Sequence, residues 1–153
     1  MNHLPLTTFS AKKNQRREAG SSLIEFGLAF PLLMLILVGT ADFGRVFYTY
    51  ITLASAVHTG AEYGATSAPK IYDSAGIRQA ALNDAQDLTR VTVTSTPICR
   101  CNNGSAVSCA TTSCSPLRYY VTVTAAKTFQ TLIPYPGIPS STDVTAVAVI
   151  RAQ

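Results

Sequence analysis

The chain has 153 residues, 12 Lys and Arg against 8 Asp and Glu, and only 13% charged against 47% hydrophobic residues. That length fits one modest domain with an appendage. A charged fraction about half the roughly 25% of soluble domains argues against an ordinary cytosolic globule, and so much apolar content excludes disorder. The charge is also unevenly placed. Lys12, Lys13, Arg16 and Arg17 against Glu18 put +3 on residues 1–20 and leave +1 on residues 21–153. The folded part therefore lacks the basic face that nucleic acid requires, and no nucleic-acid partner is expected.

After the basic cluster, Phe26 to Ala41 runs 16 residues without a charge. Extended from Ser21 to Gly44, the segment reaches the roughly 20 residues that cross a bilayer. Leu32 to Val38 is apolar at every position, which a helix with one face in water does not sustain. A membrane-spanning helix is predicted. Four Lys and Arg precede it and Arg45 follows it, so the positive-inside rule leaves the N-terminus in the cytoplasm and residues beyond about 45 outside. Pro31 deprives the carbonyl of Gly27 of its helical donor, which predicts a kink. An ordinary secretory signal is disfavoured, because the nearest A-x-A site, Ala54-Ser55-Ala56, lies well beyond Asp42.

A different processing signal stands before the apolar run. Gly20 is preceded by basic residues and followed by Ser21 and Ser22, with Glu25 and Phe26 opening the apolar segment. This arrangement resembles the class III signal of type IV pilin-like proteins, which prepilin peptidase cuts on the cytoplasmic face after the glycine. Glycine suits such a cut because it lets a protease approach the backbone closely. Cleavage leaves the whole apolar helix on the mature chain and makes Ser21 the new N-terminus. Glu25, read without the resemblance, is a first-turn carboxylate complementing the helix dipole. Inside a bilayer it costs roughly 2.5–3.5 kcal/mol unless it is partnered. In a pilin-like assembly the implied partner is a neighbouring subunit's N-terminal ammonium.

The ordered set Glu25-Phe26, Pro31 in a Leu-rich run, Gly39, Asp42-Phe43-Gly44-Arg45 and a small-residue helix ending near Gly60–Ala65 resembles the TadE-like family, minor pseudopilins of the Tad (tight adherence) pilus system. The resemblance covers about residues 16–66. It implies a bacterial inner-membrane protein with prepilin peptidase, other Tad pilins and pseudopilins, Tad inner-membrane assembly proteins and the lipid bilayer as partners. Major Tad pilins carry little beyond the helix, so the further 85 or so residues here point to a minor pseudopilin. The family commonly has basic residues around Glu62. Here the run is AVHTGAEYGA, and nothing that depends on a charge there carries over.

Beyond the membrane, Phe43, Phe47, Tyr50, Ala54, Val57, Ala61 and Gly64 form a 4,3 seam, predicting one helix from about 22 to 65 with the seam covered by the chain's own head and by neighbours. Gly60 and Gly64 make a GxxxG spacing, which outside lipid carries little weight. Asp42 and Arg45 share a face and can pair. His58 is a lone histidine, read as structural. Ser67-Ala68-Pro69 ends the helix, and Asp73 or Ser74 caps a second one over about 74–89 with Ile77, Ala81, Ala85 and Leu88 on its apolar face. Asp84 and Asp87 near its end read as a solvated face, not an acid–base pair.

Three alternating segments, 90–96, 118–126 and 143–151, predict a three-stranded antiparallel sheet with a threonine-rich outer face. Pro134, Pro136 and Pro139 make 128–142 an exposed loop. Cys99, Cys101, Cys109 and Cys114 lie in a cysteine-rich loop spanning 97–117. Their even number outside the membrane predicts two disulfides, either 99–109 with 101–114 or 99–114 with 101–109. A four-thiolate zinc site is the weaker alternative. The expected organisation is therefore a cleaved basic leader (1–20), a pilin-like helix (21–66) and an α+β head (67–153). No catalytic, cofactor or metal constellation appears. The expected role is structural, with an unprocessed, membrane-anchored binding module as the alternative.

Overall fold

In the computed structural model, which describes residues 15–110 and 114–152 and side chains from residue 20 onward, one helix, α1, runs from Gln15 to Ala65. His3, Lys12 and Lys13 lie outside the described residues. The chain forms two compact units, Met1–Gly39 and Thr40–Gln153.

In the first unit α1 carries its apolar run without cover. Every large hydrophobic residue from Leu23 to Leu37 is 42–77% exposed. Pro31 lies inside the helix and does not end it, since membrane-type helices tolerate one lost backbone bond. The segment is long and apolar enough to cross a membrane.

The second unit continues from Thr40. After α1 come a 3₁₀ turn (Ala68–Tyr72), helix α2 (Ser74–Asp84) and strands β1 (Thr92–Arg100), β2 (Ala106–Val107), β3 (Arg118–Gln130) and β4 (Ser141–Arg151). The strands form one antiparallel sheet in the order β2-β1-β3-β4. The expected α+β architecture holds, with four strands in place of three. The additional strand, β2, has two residues, pairing Val107 with Cys99 and Ala106 with Arg100. So short a run has no periodicity to read.

The other differences are in element ends. Strand β1 continues through Pro97 to Arg100. Strand β2 reaches only Cys99 and Arg100, so at Pro97 the flank of β1 opposite β3 is an edge, where proline is tolerated. Strands β3 and β4 continue to the pair Gln130–Ser141. The proline-rich loop is thereby shortened to 131–140 and closed by the Thr131 N–H donating to the Ser140 carbonyl at 3.0 Å. Helix α2 stops at Asp84 and not near 89. The chain turns at Ala85, and the Leu88 N–H bonds back to the Ala85 carbonyl at 3.0 Å, leaving Leu88 packed at the core margin.

Both helices lie on one face of the sheet. Leu53, Ala56, Val57, Ala61 and Ala65 of α1, Ile71, and Ile77, Ala81 and Ala85 of α2 meet Val93, Val121, Val123, Ala125, Phe129, Val144, Ala146 and Ala148. The opposite sheet face carries exposed Thr92, Thr94 and Thr96 with Val147 and Val149, the expected threonine-rich pattern. The 4,3 seam divides: Val57, Ala61 and Gly64 are buried, whereas Phe43, Phe47 and Tyr50 are 49–73% exposed. A 3.5-residue repeat drifts by about 20° per heptad around an ideal α-helix, so its two ends face different directions. At the upstream end the buried positions are Asp42 and Thr49.

The glycine spacing has a packing role after all. A Cβ on Gly60 would meet the Ala81 Cβ and the Ile77 carbonyl oxygen, each at 3.1 Å, and one on Gly64 would meet Ile77 Cδ1 at 3.0 Å and Val121 Cγ1 at 3.3 Å. These glycines allow α2 to lie directly on α1. Ile77, fully buried, is the shared contact. Asp73 caps α2 as expected. Its carboxylate accepts from the Gly76 N–H at 2.9 Å and from the Tyr63 hydroxyl at 2.9 Å. Those two bonds, the backbone one first, hold its carboxyl below the ordinary 3.8 against the opposing effect of desolvation.

Two predictions follow from this packing. Ile77→Ala should destabilise the head by about 2–5 kcal/mol through the cavity it opens, and Gly64→Val by about 1–3 kcal/mol through overpacking, both read from denaturant unfolding followed by circular dichroism. Because the folded-state pKa of Asp73 is depressed, its stabilising contribution is complete above pH 3.8 and fades as pH falls through the lower folded value. Asp73→Asn should therefore flatten the loss of thermal stability on acidification below that point, and an unchanged acid profile would refute the assignment.

Candidate functional site

Gly20, Ser21, Glu25 and Phe26, the expected processing and assembly residues, all lie on α1 and are exposed. Nothing stands within 4 Å of a Cβ built on Gly20, so this backbone is open to approach. Ser21 and Glu25 are one turn apart, and the Ser21 hydroxyl donates to Glu25 Oε1 at 3.4 Å. Phe26 is 59% exposed and tilts against Phe30 with ring centroids 5.7 Å apart. A carboxylate at the edge of an uncovered apolar helix can accept a proton donor or a cation, and cannot perform acid–base chemistry alone.

The second cluster is centred on Asp42. Its side chain is only 7% exposed, buried within the second unit. One carboxylate oxygen accepts from Arg45 Nη1 at 2.8 Å. The other accepts from the Leu132 N–H at 2.9 Å and the Tyr135 hydroxyl at 3.1 Å. The expected Asp42–Arg45 pair is therefore present as part of a larger clasp holding the proline-rich loop to α1. Arg45 lies over the Phe129 ring, 5.0 Å from its centroid. Burial first, then the bond to Asp42, raises the Tyr135 phenol above its ordinary 10.0. One helical turn further on, the Tyr48 hydroxyl donates to Asp87 Oδ2 at 2.7 Å, so Asp87 is a tether and not part of a freely solvated face.

Leu132, Tyr135 and Phe129 were not expected at this site. They lie 90, 93 and 84 residues from their partners in the chain, beyond the reach of spacing arguments. Tyr135 between Pro134 and Pro136 was the one available signal, a hydroxyl-bearing ring in a loop with little else to bond.

The four cysteines form two disulfides, Cys99–Cys109 and Cys101–Cys114, with Cα–Cα distances of 5.0 and 5.7 Å. Of the two pairings left open by the sequence, this is the one adopted. Cys99 is a buried β1 residue, so the cysteine-rich region is not wholly loop. Strand β2 lies inside the 10-residue span closed by Cys99–Cys109. Bridges over such short spans stabilise by roughly 2–4 kcal/mol. Among the described residues, no group of three or more His, Cys, Asp or Glu is arranged to hold a metal.

Asp42→Ala should release the loop without unfolding the sheet. Hydrogen exchange should show the Leu132 amide losing protection while Val121 and Val123 keep theirs. Asp42→Asn, which retains one acceptor oxygen, should restore part of it. Unchanged Leu132 protection in Asp42→Ala would show that the loop is held by other means.

No curated protein and no solved structure matches the chain. A family model does: residues 20–62 match TadE-like protein, the family whose motifs the sequence carries. The match begins at Gly20 and takes in Ser21, Glu25, Phe26, Asp42 and Arg45, so this segment, which is long and apolar enough to cross a membrane, is similar to that of TadE-like proteins.

Proposed function

We propose that the protein is a minor pseudopilin acting in assembly of a Tad-type pilus, a structural component and not an enzyme. The observation that carries this reading is the uncovered apolar helix, 42–77% exposed at its large residues, within the segment that matches the TadE-like family. An apolar surface of that extent needs lipid or neighbouring helices. A pilus subunit has both in turn, first the inner membrane and then the packed helices of other pilins.

The proposed sequence of events follows from charge. The basic leader keeps the N-terminus in the cytoplasm and the head outside. Prepilin peptidase cuts after Gly20, and the Ser21 ammonium appears one turn before Glu25. Within one chain the two positions are already neighbours, as the 3.4 Å contact shows. On assembly, Glu25 takes the ammonium of an adjacent subunit, so that processing supplies the charge that assembly needs. Asp42 and Arg45, paired within the head, are not spent on subunit contacts. The head, closed by two disulfides, is suited to an oxidising space outside the cytoplasm.

N-terminal sequencing of the protein from its native membrane should find Ser21 first. Retention of Met1 would instead favour the unprocessed, anchored binding module. Glu25→Gln should leave insertion and cleavage intact, since the segment becomes more apolar and Gly20 is untouched, yet yield few or no pili. Normal piliation and normal co-purification with partner pilins in that strain would refute the charge-pairing mechanism.

A further inference from the structure

The sheet of the second unit has two unequal edges. On the β1 side, the two-residue strand β2 covers Cys99 and Arg100, and Pro97 interrupts the rest of the flank. On the other side, β4 pairs with β3 alone among the described residues and leaves its second flank open over 11 residues. It contains no proline, glycine or lysine, and its register with β3 runs from Tyr120–Arg151 to Gln130–Ser141 without a bulge. The proline, lysine and bulge devices that blunt an edge strand are absent from it. The bonds at the two ends of the ladder fix where its backbone groups point. The Thr131 N–H donates to the Ser140 carbonyl at 3.0 Å, and the Ala152 N–H to the Tyr119 carbonyl at 2.9 Å. Both bonds use even-numbered residues on the β4 side. Alternation along the strand therefore turns the N–H and C=O of Asp143, Thr145, Val147, Val149 and Arg151 to the open edge. Their side chains are exposed on the sheet face away from the helices.

Charge decides what such an edge accepts. Asp143 and Arg151 are the only charged residues of β4 and stand towards its opposite ends. Among the described residues neither has an ion-pair partner. Asp143 accepts from the Thr128 hydroxyl at 2.7 Å, and Arg151 lines a cavity with Glu62 but forms no ion pair with it. Arg151 also lies among its own sign. Arg100 and Arg118 are direct cross-strand partners, and Arg151 is opposite Tyr120, one step along the same face. The outer sheet face therefore has three arginines at one end and the carboxylate of Asp143 at the other. A strand that fits must bring an acid to the arginine end and a base to Asp143. A second β4, running antiparallel, does both. With Val147 opposite Val147 of the second copy, Asp143 faces Arg151, Thr145 faces Val149 and Arg151 faces Asp143. The opposite-charge pair forms twice by symmetry, and Val147 and Val149, 58% and 57% exposed, gain cross-strand neighbours. A slip by two residues, the smallest that keeps side chains on their faces, sets Arg151 against Ser141 or Thr145 and leaves its charge unmatched.

We propose that two copies of the chain pair antiparallel through the open edge of β4, about a two-fold axis at Val147, and join their sheets into one. The interface is isologous, each copy giving the same strand. The inference rests on the second unit alone and is independent of processing and of pilus incorporation. The axis is perpendicular to the sheet, so the helices of both copies lie on one side of it. Within the unit, α1 runs alongside β4. Asp42 bonds to Leu132 near the start of that strand, and Glu62 and Ala65 share a cavity with Ile150 and Arg151 at its end. In the pair these two stretches of α1 point in opposite directions, which distinguishes it from any packing in which they run parallel.

The test uses the full-length chain in its native membrane. No described cysteine is free, so an added cysteine supplies the reactive thiol. Val147→Cys should be joined into a dimer by a short bismaleimide, because hydrogen-bonded partners of antiparallel strands lie about 5.5 Å apart between Cα atoms. Thr94→Cys should not be joined. It lies on the same face and level with Val147 through Thr124, but two strands further from the edge. In the Val147→Cys background, Asp143→Arg alone or Arg151→Glu alone should cut the cross-linked fraction about tenfold, since symmetry replaces both opposite-charge pairs with like charges. Asp143→Arg combined with Arg151→Glu exchanges the charges, re-forms both pairs and should recover the dimer. The proposal is overturned if Val147→Cys cross-links no more than Thr94→Cys, or if the product has the mass of this chain joined to a different protein. It is also overturned if the double exchange does not recover what each single change loses. Loss through misfolding would persist in the double exchange, so recovery separates charge pairing from damage to the fold.

Discussion

Leu23 to Leu37 of α1 present large apolar side chains that nothing in the described chain covers, whereas Leu53, Ala56 and Val57 further along the same helix are fully buried. A single 51-residue helix thus has to satisfy two surroundings. Upstream, its backbone bonds are internal and its side chains require an apolar solvent, the condition under which a lone helix is stable in lipid. Downstream, the helix is one wall of a protein core in water. The residue types follow the change: Leu, Ile and Phe where the surrounding is fluid and forgiving of shape, and Ala and Gly where it is another backbone.

The small residues set the thickness of the head. Gly60 and Gly64 leave no room for a Cβ beneath Ile77 and Ala81, and Ala125, Ala146 and Ala148 line the sheet beneath the helices. Such a core is thin, and a domain of this size buries a limited share of its surface. The two disulfides close short spans at the β1–β2 end of the sheet, far in sequence from the helix that supplies much of the core. They restrain the region where the hydrophobic cluster contributes least, since among its members only Val93 belongs to β1.

The Asp42 clasp solves a related problem at the other end of the sheet. The loop at 131–140 holds three prolines and only two backbone bonds of its own, Thr131 N–H to the Ser140 carbonyl and Ile138 N–H to the Tyr135 carbonyl. Asp42 offers one carboxylate to a backbone amide, a phenol and a guanidinium. Removed from water, that carboxylate is stable only because all three donors are present. Arg45 is in turn held by the Phe129 ring, so helix, β3 and loop are bound through one buried charge. This fixes the proline-rich loop to the start of the second unit's part of α1.

The apolar run, an α2 cap at Asp73 or Ser74 and the Val/Thr alternation of the strands were all legible in the sequence. Each is a local pattern enforced by a solvent boundary or by helix and strand geometry within a few residues. The even cysteine count likewise predicted bridges. The structure chose between the two pairings, because pairing depends on which thiols the β1–β2 turn brings together. Strand β2 and the extended ends of β1, β3 and β4 were not legible, since they exist only where a neighbouring strand supplies a ladder. The division of the 4,3 seam, buried at Val57 and exposed at Phe43, depended on which stretch of the helix the sheet and α2 cover. The partners of Asp42 depended on contacts across about 90 residues, which no spacing rule encodes. What the sequence determined by itself was therefore the type and order of the elements, which local periodicity sets, but not where α2 ends or how much of the 4,3 seam is covered. What only the tertiary structure decided was which distant groups share a buried charge or a core surface, because that follows from packing in three dimensions.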